Sequence, residues 1–291
     1  MTTSDPDVAR LLEMAASADP EEVDRAQQLA VAGMRADPRL QVIAAQAFDR
    51  ARVLAGRPQK FGTQAVTEDG RRVPWPIDPG TTDSERAKWG IAALPRLVDG
   101  LDEAPLVDKA TLRLVLRRRR QQLSEHQRAA AALDVCARGL EPLAARCAGA
   151  VVAAYWPIGG ELDPRPLAQQ LRASCSARLA LPVVVEDELT FCPWEGDEDL
   201  QPAGFGALGP SLALGQVRPD VVLAPLVGCD RRGGRLGQGK GFYDKVVARL
   251  GDVFFVGVAF DCQVLPAIPT DALDRRLDAV LTDREWIALS G

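Results

Sequence analysis

Apolar residues recur along this chain in two different rhythms. Over residues 4–101 the rhythm is helical. Val8, Leu11 and Leu12 follow Ser4, which stands as an N-cap candidate. Asp19-Pro20-Glu21-Glu22 predicts a second helix start, with proline in the first turn and acids at the positive end of the dipole. Asp37-Pro38 predicts a third, with Leu40, Ile43, Ala44, Ala47 and Phe48 on one stripe. Thr82-Asp83-Ser84-Glu85-Arg86 predicts a fourth, with Trp89, Ile91, Leu94 and Leu97 available to a core. Between the third and fourth lies a glycine- and proline-rich loop ending at Gly80. Gly100, Pro105 and the acids around them mark a break, so the expected division is a mainly α-helical domain over 1–104 and a second domain over 105–291.

The second domain opens on a long helical pattern, Leu106 to about Cys147, expected to break near Gly139 and Pro142. Then the rhythm changes. Short apolar runs at 150–156, 179–185, 189–194, 221–227, 253–260 and 278–282 read as strands. Helical stretches at 164–173 and 242–250 fall between them, and 283–289 reads as a terminal helix. Alternation of this kind predicts an α/β fold, a three-layer sheet with a substantial parallel part. Ligands of such sheets sit beyond the carboxyl ends of strands. Three strand ends carry polar or glycine-rich sequence: Trp156 to Glu161, Gly228 to Asp244, and Asp261-Cys262-Gln263.

The middle one, between an apolar strand and a helix start, carries the most chemistry. Glycines at 233, 234, 237, 239 and 241 allow tight turns and close backbone approach, while Arg235 and Lys240 bring positive charge. Strand, glycine loop and helix N-terminus together expose backbone N–H groups to an anion, which points to a polyphosphate. Gly234, Gly239 and Lys240 match the start of a P-loop, but Gly241 stands where that loop needs a magnesium-binding Ser or Thr. The spacing also departs from the dinucleotide fingerprint. Upstream, Lys109 and Arg113 are spaced i,i+4, on one helix face. They are able to clamp a phosphate chain or to form part of a solvated basic face that continues into Arg117–Arg120.

Composition narrows the remaining classes. With 47% hydrophobic and 26% charged residues the chain is an ordinary globular one, and a net charge of −5 argues against a general nucleic-acid binder. No apolar run approaches the ~20 residues that span a bilayer, and no secretory signal is visible, so none is expected. Six scattered cysteines without a C-x-x-C pair fit a reduced, cytoplasmic protein. The single histidine, His126, leaves few zinc or Ser-His-Asp options and reads as a surface residue. Oligomeric state is left open.

Residues 109–291 resemble the 5-formyltetrahydrofolate cyclo-ligase (5,10-methenyltetrahydrofolate synthetase) family. The resemblance rests on Lys109-x-x-x-Arg113, Leu123-Ser124, Gly160-Glu161-Leu162-Asp163 and Phe191-x-x-Trp194. Its most specific part runs from Pro225 through Asp230, Gly233, Arg235 and Lys240 to Tyr243-Asp244. Ala259-Phe260-x-x-Gln263 and Asp274-x-x-x-Asp278 follow in order. It implies ATP- and Mg²⁺-dependent conversion of a reduced folate, 5-formyltetrahydrofolate, to 5,10-methenyltetrahydrofolate. It also implies roles: Lys109 and Arg113 on ATP phosphates; Arg235, Gly237, Gln238, Gly239, Lys240 and Gly241 around the transferring group; Tyr243 in the shared pocket; Glu161, with Trp194, on the folate; Asp244 and Asp274 on Mg²⁺. Arg235, Lys240 and Tyr243 are the catalytic candidates. The sequence departs from the family pattern at Gln238, often Tyr or Arg, at Phe242, often Tyr, and at Gly209, where many members carry an acid. The alternative is a non-catalytic folate- or nucleotide-binding protein whose helical domain binds a partner.

The N-terminal part resembles an uncharacterised bacterial domain family over roughly residues 5–101, through Gln59-Lys60-Phe61-Gly62-Thr63-Gln64, Pro76-Ile77-Asp78 and Glu85-Arg86. That resemblance implies no activity. Gln59, Gln64, Asp78 and Arg86 either form a polar site or brace the long loop against a small helical bundle.

Overall fold

The structure is a computed structural model and describes residues 6–93, 101, 104–196, 200–272 and 274–289. The chain divides into two compact units, Met1–Val115 with Leu265–Ala272, and Leu116–Val264 with Leu273–Gly291.

In the first unit, helices α1 (Pro6–Ala15), α2 (Pro20–Gly33) and α3 (Arg39–Leu54) form the helical layer. Asp19 caps α2 as its sequence predicts, accepting from the Glu21 amide. Asp37 accepts from the Arg39 amide in front of α3. The stripe on α3 turns inward: Ile43, Ala44 and Ala47 join Val23, Ala26 and Ala30 of α2 in one core. Short α4 (Asp83–Lys88) begins on a reciprocal capping box between Thr82 and Glu85. The expected core residues Leu94 and Leu97 lie outside the described residues, as does most of the expected domain break.

The loop between α3 and α4 holds a hairpin that the sequence reading lacked, β1 (Ala65–Glu68) against β2 (Arg71–Pro74). Asp69 and Gly70 both have positive φ, 48° and 80°, the twist a two-residue hairpin turn needs. An Asp-Gly pair between Val66-Thr67 and Val73 is the local signal for it. The polar residues around it brace. Gln59 donates to the carbonyls of Gln64 and Trp75 and accepts from the Gln64 amide. Asp78 pairs with Arg52 at 2.9 Å, and buried Arg86 with Asp83 at 2.7 Å.

Two helices then follow, α5 (Lys109–Gln121) and α6 (Glu125–Cys147). The break falls at Gln122–Ser124, where Ser124 and Gln127 form a capping box, and α6 runs on through Gly139 and Pro142. Gly139 is a close approach rather than a break, since a Cβ there would meet Leu281 at 2.6 Å.

The second unit is built on a seven-stranded sheet. Its strands are β3 (Val151–Ala153), β4 (Arg178–Val185), β5 (Glu188–Pro193), β8 (Val221–Pro225), β11 (Phe254–Val258), β13 (Ala279–Leu281) and β14 (Trp286–Ala288). Their order is β14-β13-β11-β8-β3-β4-β5. The five inner strands are parallel, and β5 and β14 close the edges antiparallel. The terminal helix expected at 283–289 is therefore an edge strand, with Val280 paired to Ile287. Ladder pairing and burial against β13 override a local sequence with moderate helix propensity.

Inner strands buried on both faces need apolar residues at every position. Val152, Leu179, Leu181, Leu223, Val256 and Leu281 face one way, against α6 and α7 (Arg165–Cys175). Val151, Ala153, Ala180, Val222, Phe255 and Val280 face the other, against α8 (Phe242–Leu250). This is the three-layer α/β arrangement the alternation predicts. A second hairpin, β6 (Gln201–Gly204) with β7 (Ala207–Gly209), carries Phe205 at its turn. A small sheet of order β10-β9-β12 completes the unit, from β9 (Gly228–Asp230), β10 (Arg235–Leu236) and β12 (Val264–Leu265).

Candidate active site

Strand order determines where a site forms. From β3 the chain moves to β4 on one side and later to β8 on the other. The connections therefore diverge between β3 and β8, and their carboxyl ends frame a crevice. A cleft of about 390 Å³ lies there, lined among others by Tyr155, Glu161, Pro225, Arg235, Gln238, Lys240 and Tyr243.

One wall is the glycine loop. After β8 the chain turns through the β9–β10 hairpin, whose tip is held by buried Asp230 accepting from the amides of Arg232 and Gly234. A Cβ at Gly234 would come within 2.6 Å of the Asp230 carboxylate and push it off the amides it holds. Gln263, after β11, donates to the carbonyls of Leu226 and Val227 and ties down the root of the loop. At the far end Gly241 adopts φ 71° as the N-cap of α8, and no side chain caps the helix. The first-turn amides of α8 are thus without a side-chain acceptor, beside Lys240 and Arg235, as an anion cradle requires.

The charges on this wall differ in setting. Arg235 is buried, lies over the Phe255 ring at 4.8 Å, and pairs with Asp244 and with the Arg275 carbonyl. Burial pulls its guanidinium down while Asp244 and Asp274 hold it up, so it is a charge fixed by a carboxylate pair. Lys240 is exposed, with its ammonium 5.1 Å from the ring of Phe205. Tyr243 lines the cleft, and burial pushes its phenol well up, so it stays a neutral hydrogen-bonding group.

The opposite wall is the segment after β3. Tyr155 donates to the Leu162 carbonyl, which folds the chain back and buries Glu161. The Glu161 carboxylate accepts from the Ile158 amide at 3.2 Å and from Gln238 Nε2 at 3.0 Å. Burial raises the Glu161 pKa above the usual 4.5; these two donors and Arg120 act against that rise. Gln238 in turn accepts from Arg117 at 2.7 Å and so joins the glycine loop to the Glu161 wall.

Of the residues singled out from sequence, Glu161, Arg235, Gly237, Gln238, Lys240, Gly241, Tyr243 and Asp244 all line this cleft. Trp194 does not; it is buried in the core beside Leu167 and Leu171. Lys109 and Arg113 belong to the first unit, where Lys109 pairs with Asp271 at 2.8 Å. Asp274 acts electrostatically on Arg235. The basic run 117–120 is not a uniformly solvated face. Arg117 reaches Gln238, and Arg120 is 6% exposed with its Nη1 3.9 Å from Glu161. Their i,i+3 spacing on one helix side was the available signal. Phe205, on the hairpin lining the cleft, was also missed; a lone aromatic in a Gly-rich turn carries no local pattern.

A largely parallel α/β sheet whose switch point sets a glycine-rich helix N-terminus and two cations opposite a buried carboxylate places the chain in the class of α/β proteins with a candidate anion site beyond their strand ends. The particular family is shown by comparison. The model of the 5-formyltetrahydrofolate cyclo-ligase family matches residues 105–283, and the chain belongs to that family. The 5-formyltetrahydrofolate cyclo-ligase of Escherichia coli K12 is 34% identical over 147 residues, 46% of this chain and 80% of the relative. That of Haemophilus influenzae is 32% identical over 139 residues, 45% of this chain and 74% of the relative. The solved 5,10-methenyltetrahydrofolate synthetase of Aquifex aeolicus superposes with a TM-score of 0.56 at 31% identity, covering 63% of this chain and 93% of that one.

Proposed function

We propose that the chain converts 5-formyltetrahydrofolate to 5,10-methenyltetrahydrofolate, with ATP cleaved to ADP and phosphate. The observation that carries this reading is the pairing, across one cleft, of an anion cradle with a buried acceptor carboxylate. The reaction needs both. A formamide oxygen is a poor leaving group, so it first accepts the γ-phosphoryl group of ATP; N10 then attacks the activated carbon, and phosphate departs as the ring closes. Such chemistry asks the protein for positioning and charge neutralisation rather than for a nucleophile of its own.

In this reading Lys240 and Arg235 neutralise charge on the transferring group, with the amides of Gly237, Gly239 and Gly241 around it. Fixed by Asp244, Arg235 arrives oriented; exposed Lys240 closes on the phosphate as it binds. Tyr243 packs against the shared substrate pocket, and Glu161 accepts from the donor edge of the pterin. Lys109 and Arg113 would hold ATP phosphates, an assignment that rests on the family motif. Asp244 and Asp274 suit Mg²⁺: both are oxygen donors acting on one arginine, and this ion takes one or two carboxylates plus substrate phosphates. Among the described residues no cluster of three or more His, Cys, Asp or Glu stands ready for a metal, so the protein would contribute few ligands of its own. Held by these two carboxylates, Mg²⁺ would supply positive charge against the phosphate.

The division into 1–104 and 105–291 remains the domain reading, supported by the family match beginning at residue 105. Burial pushes the Cys147 thiol up to about 12, as suits a cysteine that fills a core. Among the described residues no helix is long and apolar enough to cross a membrane. The test is direct: incubate the protein with 5-formyltetrahydrofolate, ATP and Mg²⁺ and follow methenyl-folate absorbance. Appearance of product, dependent on both ATP and Mg²⁺, is expected; absence of product from protein that still binds ATP would overturn the reading.

A further inference from the structure

Arg120 is an anomaly in the wall opposite the glycine loop. It is 6% exposed, yet its Nε and Nη1 have no hydrogen-bond partner among the described residues. Guanidinium groups stay charged when buried, and a buried charge without partners is costly unless something nearby balances it. The balancing group is Glu161, whose Oε1 lies 3.9 Å from Arg120 Nη1, close enough for strong attraction and too far for a hydrogen bond. Arg120 also lies beneath the Gly159-Gly160 turn, where a Cβ on Gly159 would be 3.7 Å from its Nη2. It therefore supports the segment that carries Glu161.

The Gln238 bridge is strongest with Glu161 charged. Arg117 only donates, so it holds the Gln238 side-chain oxygen toward itself at 2.7 Å and turns the amide nitrogen to Glu161. That nitrogen requires an accepting oxygen on Glu161. The Ile158 amide requires another. Protonation of Glu161 would put a hydrogen on one of two oxygens that each already receive a donor, and would weaken that oxygen as an acceptor. Three elements thus converge on one charge state, and Arg120 is the cation among them nearest the carboxylate.

We propose that Arg120 is a positioning residue for the folate side of the cleft, the buried cation that keeps the Glu161 carboxylate charged and aimed at the donor edge of the substrate. The proposal deepens the functional reading above and rests on it. The other titratable or charged groups acting around Glu161 are Tyr155, Tyr243 and Asp163, with Arg117 behind Gln238 and Arg128 against Gly160. Buried Tyr155 and partly buried Tyr243 are phenols pushed up by desolvation and stay neutral, and Asp163 is engaged by Arg165 at 2.6 Å. Removal of Arg120 therefore leaves Glu161 without its nearest balancing charge. A neutral Glu161 is a weaker acceptor that has lost its charge-assisted hydrogen bonds, so folate binding weakens as the carboxyl takes its proton.

The test measures affinity for 5-formyltetrahydrofolate from pH 5 to pH 8, with KM and kcat alongside, for wild type, Arg120→Gln, Arg120→Lys and Glu161→Gln. Arg120→Gln should shift the acidic fall in affinity upward by about one pH unit or more, the usual effect of an opposite charge within 4–6 Å. At pH 6 its KM should rise roughly tenfold with kcat changed less, and Arg120→Lys should restore most of the wild-type profile. Glu161→Gln should bind weakly with no acidic fall. If Arg120→Gln keeps the wild-type profile, or if the acidic fall survives in Glu161→Gln, the proposal is wrong. The second comparison holds even where Arg120→Gln fails to fold. A wild-type protein that neither binds nor converts the folate would remove the functional reading itself; wild-type turnover with unchanged variant profiles would remove only the role of Arg120.

Discussion

Two buried carboxylates, one in each unit, show what separates a structural acid from a functional one. Asp49 in α3 is 0% exposed and accepts from the amides of Lys60, Phe61 and Thr63 and from the Thr63 hydroxyl, at 2.6–3.0 Å. A carboxylate offers about four lone-pair sites, so Asp49 is saturated. Glu161 is 7% exposed and holds two hydrogen bonds, from Ile158 and Gln238. Burial raises the pKa of both, so burial does not distinguish them. The distinction lies in capacity left over and in the cleft that Glu161 lines. Asp49 fastens the 60–63 turn; Glu161 can still accept from a ligand.

The largest effect is expected on the cleft side, in Lys240→Ala. Loss of the mobile cation should lower kcat/KM by about 10²–10³-fold, while the urea unfolding midpoint stays at its wild-type value. Turnover within a few-fold of wild type would take Lys240 out of the mechanism. Asp49→Ala should show the mirror image. Stranding three amides and a hydroxyl should destabilise the protein by roughly 3 kcal/mol or more, read by chemical unfolding. A neutral result there would mean the turn is held by other contacts. Glu161→Gln should raise the KM for 5-formyltetrahydrofolate by ~10-fold or more and, by leaving buried Arg120 without its balancing charge, lower the unfolding free energy by about 3 kcal/mol. If it unfolds the protein and spares KM, the two acids are of one kind.

The smallest effect concerns pH. Each acid takes its proton more tightly folded than unfolded, because burial raises the folded pKa above the ordinary 3.8 for Asp49 and 4.5 for Glu161. Each therefore contributes most stability below that ordinary value and loses it as pH rises through the folded pKa. The stability of wild type relative to Asp49→Asn, or to Glu161→Gln, should thus decline as the pH is raised from 4 to 7, with a slope of at most about 1.4 kcal/mol per pH unit. A difference that grows with pH would reverse the sign and show that hydrogen bonding outweighs burial.

Local chemistry made much of the fold legible. The Asp19 and Thr82 caps, the α3 stripe and the bounds of α8 follow from residues within one or two turns of each other. The strand–glycine loop–helix unit is legible for the same reason, since its anion-binding property is a backbone property of adjacent residues. Asp-Gly at 69–70 was legible as a hairpin turn and was absorbed into a loop because Gly and Pro dominate the segment. The last strand was not legible: residues 283–289 pair only because β13 offers an open edge.

The sequence by itself determined the alternation that builds the sheet, the glycine loop and the presence of the cations near it. Tertiary structure alone decided which charges matter to one another. Arg117 and Arg120 look like neighbours in a solvated run, yet Arg117 meets Gln238, 121 residues away, and Arg120 meets Glu161, 41 residues away. The same holds for Asp49, an acid in an amphipathic helix whose partners arrive 11–14 residues later. Hydrophobic periodicity reports which face is buried, because it is the sum of many equivalent contacts. The partner of a single buried charge is one specific contact, and it exists only after the sheet has brought distant segments to the same strand ends.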